Sequence, residues 1–208
     1  MPITAKIRRN RIFQDGYLAF KDLSKAGLKN KLKVVFIDQF GNYEAGIDEG
    51  GLFKDFLDEL CKEVFNPDRG LFSVTSEQMV YPNPNSEKIV GKEHLNYFYF
   101  IGAVVGRALY EGILLETKFA YFFLRKMQGK HNYLSELQSL DEEMYKNMKF
   151  VKAYEGDVKN LCLTFSVDEQ ITGSNVTVDL VPAGRNITVT NSNKFDYIYR
   201  MANYKMNT

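Results

Sequence analysis

A chain of 208 residues with 45% hydrophobic and 25% charged side chains is long enough to bury its own core without disulfide or metal staples, as one large domain or two small ones. Its formal net charge of +1 gives no global electrostatic case for nucleic acid as a partner. Two cysteines, Cys61 and Cys162, are too few for a disulfide framework and stand in no metal-ligand spacing, so a reducing compartment fits.

Charge is uneven along the chain. Lys6, Arg8, Arg9, Arg11, Lys21, Lys25, Lys29, Lys31 and Lys33 face only Asp15 and Asp22 in the first 33 residues, and no apolar segment follows Lys6, Arg8, Arg9 and Arg11 as a secretory signal would require. Residues 11–28 read as a helix, with Ile12, Phe13, Leu18, Phe20 and Leu23 amid charge, and the basic stretch as a solvated helix or one docked on an acidic neighbour. Leu32 to Ile37, rich in β-branched residues, reads as a buried strand. Next come Asp48, Glu49, Gly50 and Gly51, and then Leu52, Phe53, Phe56, Leu57, Leu60 and Val64 at three- and four-residue spacing, one apolar helix face. Asp48 and Glu49 read as helix capping rather than a metal or acid/base pair, since no histidine or third carboxylate lies near them in sequence. Asn66-Pro67 ends the helix, and Pro82-Asn83-Pro84-Asn85-Ser86 reads as a rigid loop.

Residues 95–115 form the most apolar helix, and their nearly all-round hydrophobicity predicts a central position. Gly102 and Gly106 read as a seam for close packing of a neighbouring helix. Arg107 and Glu111 interrupt the run, which leaves it too short for a membrane span. Residues 119–127 make a further helix, stopped near Gly129.

The character changes after about residue 139. Asp141-Glu142-Glu143 opens a helix with Met144, Met148 and Val151 on one stripe, closed by Tyr154-Glu155-Gly156. Leu161, Leu163, Phe165 and Val167 alternate as a half-buried strand, Val176, Val178 and Leu180 alternate again after a turn at Gly173 or Ser174, and Ile187 and Val189 suggest a short third strand. Thr190-Asn191-Ser192-Asn193 caps a last helix with Tyr197, Met201 and Tyr204 on one side. The fold class is α+β and mostly helical, divided into a large helical unit over 1–138 and a small α/β unit over 139–205. A nucleophilic hydrolase needs Cys or Ser beside an oriented His, and only His94 and His131 are available. No P-loop, dinucleotide glycine pattern or zinc motif occurs, so no cofactor and no metal is expected. A cysteine hydrolase built on Cys61 or Cys162 remains the lesser alternative.

The ordered motifs Glu44-Ala45-Gly46-Ile47-Asp48-Glu49-Gly50-Gly51-Leu52-Phe53-Lys54-Asp55-Phe56, Phe65-Asn66-Pro67, Tyr81-Pro82-Asn83-Pro84, Gly106-Arg107-Ala108-Leu109-Tyr110, Tyr154-Glu155-Gly156-Asp157 and Ile187-Thr188-Val189-Thr190-Asn191 together resemble the signatures of HECT-type ubiquitin ligases, over nearly the whole chain. The resemblance implies a two-lobed catalytic domain of cytoplasmic, and also nuclear, location. Its N-terminal lobe recruits a ubiquitin-loaded conjugating enzyme, and its C-terminal lobe carries the cysteine that takes ubiquitin as a thioester. This sequence holds no Leu-Pro…Thr-Cys segment, so it reads as an N-lobe fragment, inactive alone, whose partners are a conjugating enzyme, the C-terminal lobe and ubiquitin itself, with neither nucleic acid nor membrane. Carried over position by position, the family's docking groove falls on Met144, Met148, Val151, Tyr154, Leu161, Leu163, Tyr197 and Met201. From spacing alone these eight read as the small unit's own core; the resemblance implies a partly exposed groove, rich in adaptable methionine. A stand-alone adaptor that binds an apolar peptide or helix in the same groove is the alternative.

Overall fold

The computed structural model describes residues 3–23, 27, 30, 32–44, 51–171 and 173–207. They fall into two compact units, Met1–Val74 with Pro82–Lys118, and Thr75–Tyr81 with Phe119–Thr208. The mixture of helices and small sheets is α+β.

The first unit opens with β1 (Ile3–Arg8), then α1 (Ile12–Phe20) and β2 (Leu32–Ile37); β1 and β2 pair in parallel, Ala5 opposite Val34 and Ile7 opposite Phe36. Those four side chains are buried while Thr4, Lys6 and Arg8 are exposed, the period-two burial of a strand with one covered face. The first basic residues therefore lie on a strand and the turn after it, not on the helix their charge suggested, and α1 is shorter than residues 11–28. The acidic neighbours that charge called for are present. Arg8 donates through Nε and Nη2 to Asp15 at 2.8 and 2.7 Å, and Arg9 reaches Glu44 at 2.8 Å and also Glu59.

The acidic turn Asp48-Glu49-Gly50 lies outside the described residues. The helix after it, α2 (Gly51–Val64), buries Phe53, Phe56, Leu57, Leu60 and Val64, the face its spacing predicts. Gly16 lets α1 approach, since a Cβ there would lie 2.8 Å from the Phe56 ring. Asn66 Oδ1 accepts from the Asp68 N–H at 3.0 Å beyond the end of α2. Then come β3 (Phe72–Val74), β4 (Val80–Pro82), of which Val80 and Tyr81 belong to the second unit, α3 (Ser86–Val90) and α4 (His94–Tyr110). Asn83 ties the loop before α3, donating from Nδ2 to Gly70 O and accepting from Asn85 N–H.

The expectation that α4 is central is not met. It buries Phe100, Ile101, Val104, Arg107 and Ala108 but exposes Leu95, Tyr99, Leu109 and Tyr110. An all-round apolar pattern predicts burial only where enough elements exist to cover it, and among the described residues one face is packed. Nothing lies within 4 Å of a Cβ built on Gly102 or Gly106, so neither glycine seats a helix here.

The second unit holds α5 (Tyr121–Met127), α6 (Leu134–Leu137), α7 (Glu142–Ala153), the antiparallel pair β5 (Ser166–Ile171) and β6 (Ser174–Asp179), and α8 (Lys194–Asn207). Helices α6, α7 and α8 pack on one another. Phe122 and Leu137 sit in the same buried cluster as Met148, Val158, Phe165 and Tyr197, so residues 119–138, grouped with the first unit by composition, pack with the second. The strand expected from Leu161 does not start there. A 3-10 turn (Val158–Leu161) leads into Cys162 at φ +52, and β5 begins at Ser166. The suggested third strand reduces to one antiparallel bridge, Thr188 with Thr164, flanked by Phe165 N–H to Ile187 O at 3.1 Å and Val189 N–H to Leu163 O at 2.9 Å.

Candidate docking site

Helix α7 starts where Asp141 accepts a hydrogen bond from the Met144 N–H at 2.9 Å, which satisfies a free donor of the first turn while Glu142 and Glu143 complement the helix dipole. It ends because Tyr154 turns extended, at φ −64 and ψ 120, rather than through a left-handed glycine. Gly156 serves otherwise: a Cβ at that position would meet the Tyr154 ring at 2.9 Å. Glycine there leaves the ring free to lie back over its own loop, 5.5 Å from Phe150.

That loop is pinned from across the unit. Asn191 donates from Nδ2 to Gly156 O at 3.0 Å and accepts at Oδ1 from the Val158 N–H at 2.8 Å. Lys194 Nζ donates to Tyr154 O at 2.9 Å. Two motifs far apart in sequence, Tyr154-Glu155-Gly156-Asp157 and Thr190-Asn191, are thus one local structure. Asn191 read from the sequence as part of a helix cap; its partners 33 and 35 residues away carry no local signal. Next door, Asn193 Oδ1 accepts from the Thr190 N–H at 2.7 Å and closes the turn that leads into α8. Gly184 is fixed by backbone: a Cβ there would fall 2.1 Å from Phe165 O.

The structure brings all eight sequence-predicted residues into one apolar cluster. Their exposure divides them. Met148, Val151, Tyr197 and Met201 are buried core, whereas Met144, Tyr154, Leu161 and Leu163 are half-buried and pack against it. The Tyr197 ring lies edge-on to Phe165 at 5.6 Å, and burial pushes its phenol pKa up. A visitor could touch the half-buried four; the buried four hold them in place. Chemically the eight form an apolar platform with no cysteine or histidine among them, Cys162 standing between Leu161 and Leu163 in sequence.

The thiols fit that description. Burial, with Asp58 adding to it, pushes Cys61 up to about 11, which leaves it protonated at neutral pH. Cys162 is exposed, and its Sγ lies 3.9 Å from Asn160 O. His94 Nδ1 pairs with Ser86 Oγ at 3.0 Å, and the His131 ring lies against Tyr133 and Tyr199. Among the described residues no group of three His, Cys, Asp or Glu could hold a metal ion, and no helix is long and apolar enough to cross a membrane.

Comparison with known proteins gives a family model, described as HECT-domain (ubiquitin-transferase), that matches residues 58–208. The chain is similar to Ubiquitin-protein ligase E3B of Homo sapiens, 43% identical over 208 residues, covering 97% of this chain and 19% of that protein. E3 ubiquitin-protein ligase UPL6 of Arabidopsis thaliana is 39% identical over 202 residues, covering 97% of this chain and 20% of that protein. Probable E3 ubiquitin protein ligase C167.07c of Schizosaccharomyces pombe is 43% identical over 204 residues, covering 98% and 20%. The chain therefore spans about a fifth of the length of these relatives.

Proposed function

Because the chain belongs to the HECT-domain ubiquitin-transferase family, we propose that it forms the N-terminal lobe of a ubiquitin-protein ligase's catalytic domain, and that its second unit docks a ubiquitin-conjugating enzyme. One observation carries the docking assignment: Met144, Tyr154, Leu161 and Leu163 are only partly buried against a sealed cluster that holds Met148, Val151, Tyr197 and Met201. A domain that leaves four apolar side chains only partly buried over one cluster, with Tyr154 on a loop held by Asn191 and Lys194, has a preformed seat for an apolar tip of another protein.

The lobe supplies position. A conjugating enzyme holds ubiquitin's terminal carbonyl as a thioester; a ligase thiolate attacks that carbonyl, a new thioester forms, and the conjugating enzyme leaves as its free thiolate. In the proposed scheme the attacking cysteine belongs to a C-terminal lobe, and this region alone is inactive. Cys61 does not serve, since its thiol stays protonated. A seat made by a few half-buried side chains gives weak, reversible affinity, roughly micromolar, which suits a carrier that must leave after each transfer.

Titration calorimetry with a panel of purified conjugating enzymes tests the proposal. The wild-type chain binds at least one of them with saturation. Tyr154→Ala and Leu161→Ala each weaken that binding about tenfold while far-UV circular dichroism stays unchanged. Undiminished binding in both folded variants refutes the docking assignment.

A further inference from the structure

We propose that the second unit carries another, separate groove that binds an acidic peptide segment anchored by an apolar side chain. The groove runs between the start of α6, one flank of α7 and the first turns of α8. It consists of an inner recess of about 210 Å³ and an adjoining, more open trough of about 690 Å³, which share Tyr133, Leu134, Lys152 and Phe195. It is distinct from the docking platform. On α7 its residues are Tyr145, Lys149, Lys152 and Ala153, the first three at i, i+4 and i+7, a stripe one position on from Met144, Met148 and Val151 and so turned by about 100° around the helix. On α8 it uses Phe195, Ile198, Tyr199 and Ala202, again not Tyr197 or Met201.

Two properties set the class of ligand. The first is the lining. Tyr133, Phe195 and Tyr199 are more than half exposed, an aromatic patch of the kind that monomers seldom leave open without use. The His131 ring stacks 6.1 Å from Tyr199 and meets Tyr133 edge-on at 5.1 Å, which holds both rings in position beforehand. The second is charge. Among the described residues neither Lys149 nor Lys152 has a carboxylate within 4.0 Å, and Lys149 instead lies 5.5 Å over the Tyr145 ring. Of the carboxylates on α6 and α7, Glu142 pairs with Lys146 at 2.9 Å, while Glu136 keeps its charge, hydrogen-bonded to the neutral Tyr133 N–H at 2.7 Å and Ser135 Oγ at 2.8 Å. Two lysines without an ion-pair partner among the described residues thus stand at the rim of a nearly neutral chain.

Hydrocarbon and rings at the bottom with two unneutralised ammonium groups at the lip complement a peptide that offers Asp or Glu to the lysines and a Phe or Leu to the recess beside Ile198 and Ala202. Asn132 lines the recess, 1% exposed, and is fixed there by its Nδ2 bond to Phe122 O at 2.9 Å.

The test is fluorescence anisotropy of the whole 208-residue chain with a short fluorescein-labelled peptide of Glu and Asp that carries one Phe and one Leu. Two control peptides are used, one with Lys for every acid and one with Ser for the Phe and Leu. The acidic apolar peptide binds with saturation and weakens as salt rises. Binding falls at least tenfold in the double variant Lys149→Glu, Lys152→Glu and at least fivefold in Phe195→Ala, all exposed positions where the fold survives; Leu161→Ala leaves it unchanged. The absence of saturable binding overturns the proposal, as does equal binding of either control peptide, or undiminished binding in the double lysine variant.

Discussion

The division of the eight candidate residues into floor and rim makes Met148 and Met144 an informative pair, since they are chemically identical and one helical turn apart. Met148 is 5% exposed in the main cluster, whereas Met144 is half-buried against it. Met148→Ala removes a sealed side chain and leaves a cavity that α7 and α8 cannot fully close. Core Met→Ala changes cost about 2–5 kcal/mol, and the helical flank allows some collapse, so about 3 kcal/mol is expected. For a chain of this size that corresponds to a fall in Tm of about 6–12 °C. Met144→Ala loses less, about 1 kcal/mol, because its side chain lies against the cluster rather than sealed inside it. Guanidinium unfolding followed by circular dichroism measures both, and calorimetry then reads conjugating-enzyme binding below either transition. Met148→Ala binds within about threefold of wild type once folded, while Met144→Ala binds distinctly more weakly. Equal, small stability losses in the two variants would refute the distinction, because Met148 would then be as open as Met144.

Gly184→Ala drives a Cβ into the Phe165 carbonyl, a backbone atom that cannot swing aside, so the second unit should lose more than about 3 kcal/mol or fail to fold; solubility and thermal melting report it. Asp15 is 8% exposed and hydrogen-bonded to the Arg8 guanidinium, which holds its carboxyl below the usual range. Its folded pKa is depressed, so the stabilisation is full above about pH 4, the unfolded value, and is lost as pH falls through the folded value. Asp15→Asn should therefore cost about 1 kcal/mol at neutral pH, modest because Arg8 is half in solvent, and the gap to wild type should close in acid; melting curves across pH would show it. At pH 7.5 an electrophilic thiol reagent should label exposed Cys162 at least tenfold faster than Cys61, whether or not His94 and His131 are replaced; histidine-dependent labelling would revive the cysteine-hydrolase alternative.

How far the sequence disclosed this molecule differs from element to element, for physical reasons. Strand β2 was legible because five of its six residues are apolar and Val34, Val35 and Ile37 are β-branched. Its partner β1 was not, because Lys6 and Arg8 drew attention to charge, although Ala5 and Ile7 alternating with them was the available signal. Helices α2, α7 and α8 followed from one-sided spacing. Helix α4 was over-read, since hydrophobicity on every side measures what could be buried and not what the rest of the chain covers. At the candidate site, spacing grouped eight residues that share one apolar cluster, but which half of them is sealed depends on how α7, α8 and the 154–165 segment meet. The pinning of that segment by Asn191 and Lys194 is a contact of long sequence separation that no local pattern encodes.

In the proposed complex a conjugating enzyme seats on the partly buried rim of the second unit. Methyl-resolved NMR of the chain with 13C-labelled methionine reads this directly, because Met144 lies on that rim and Met127, 60% exposed in the same unit, lies on α5 outside the candidate site. On titration with a conjugating enzyme the Met144 methyl should shift with saturation at roughly micromolar concentration while Met127 stays in place. Saturable binding that leaves Met144 unmoved, or moves only Met127, would contradict the account.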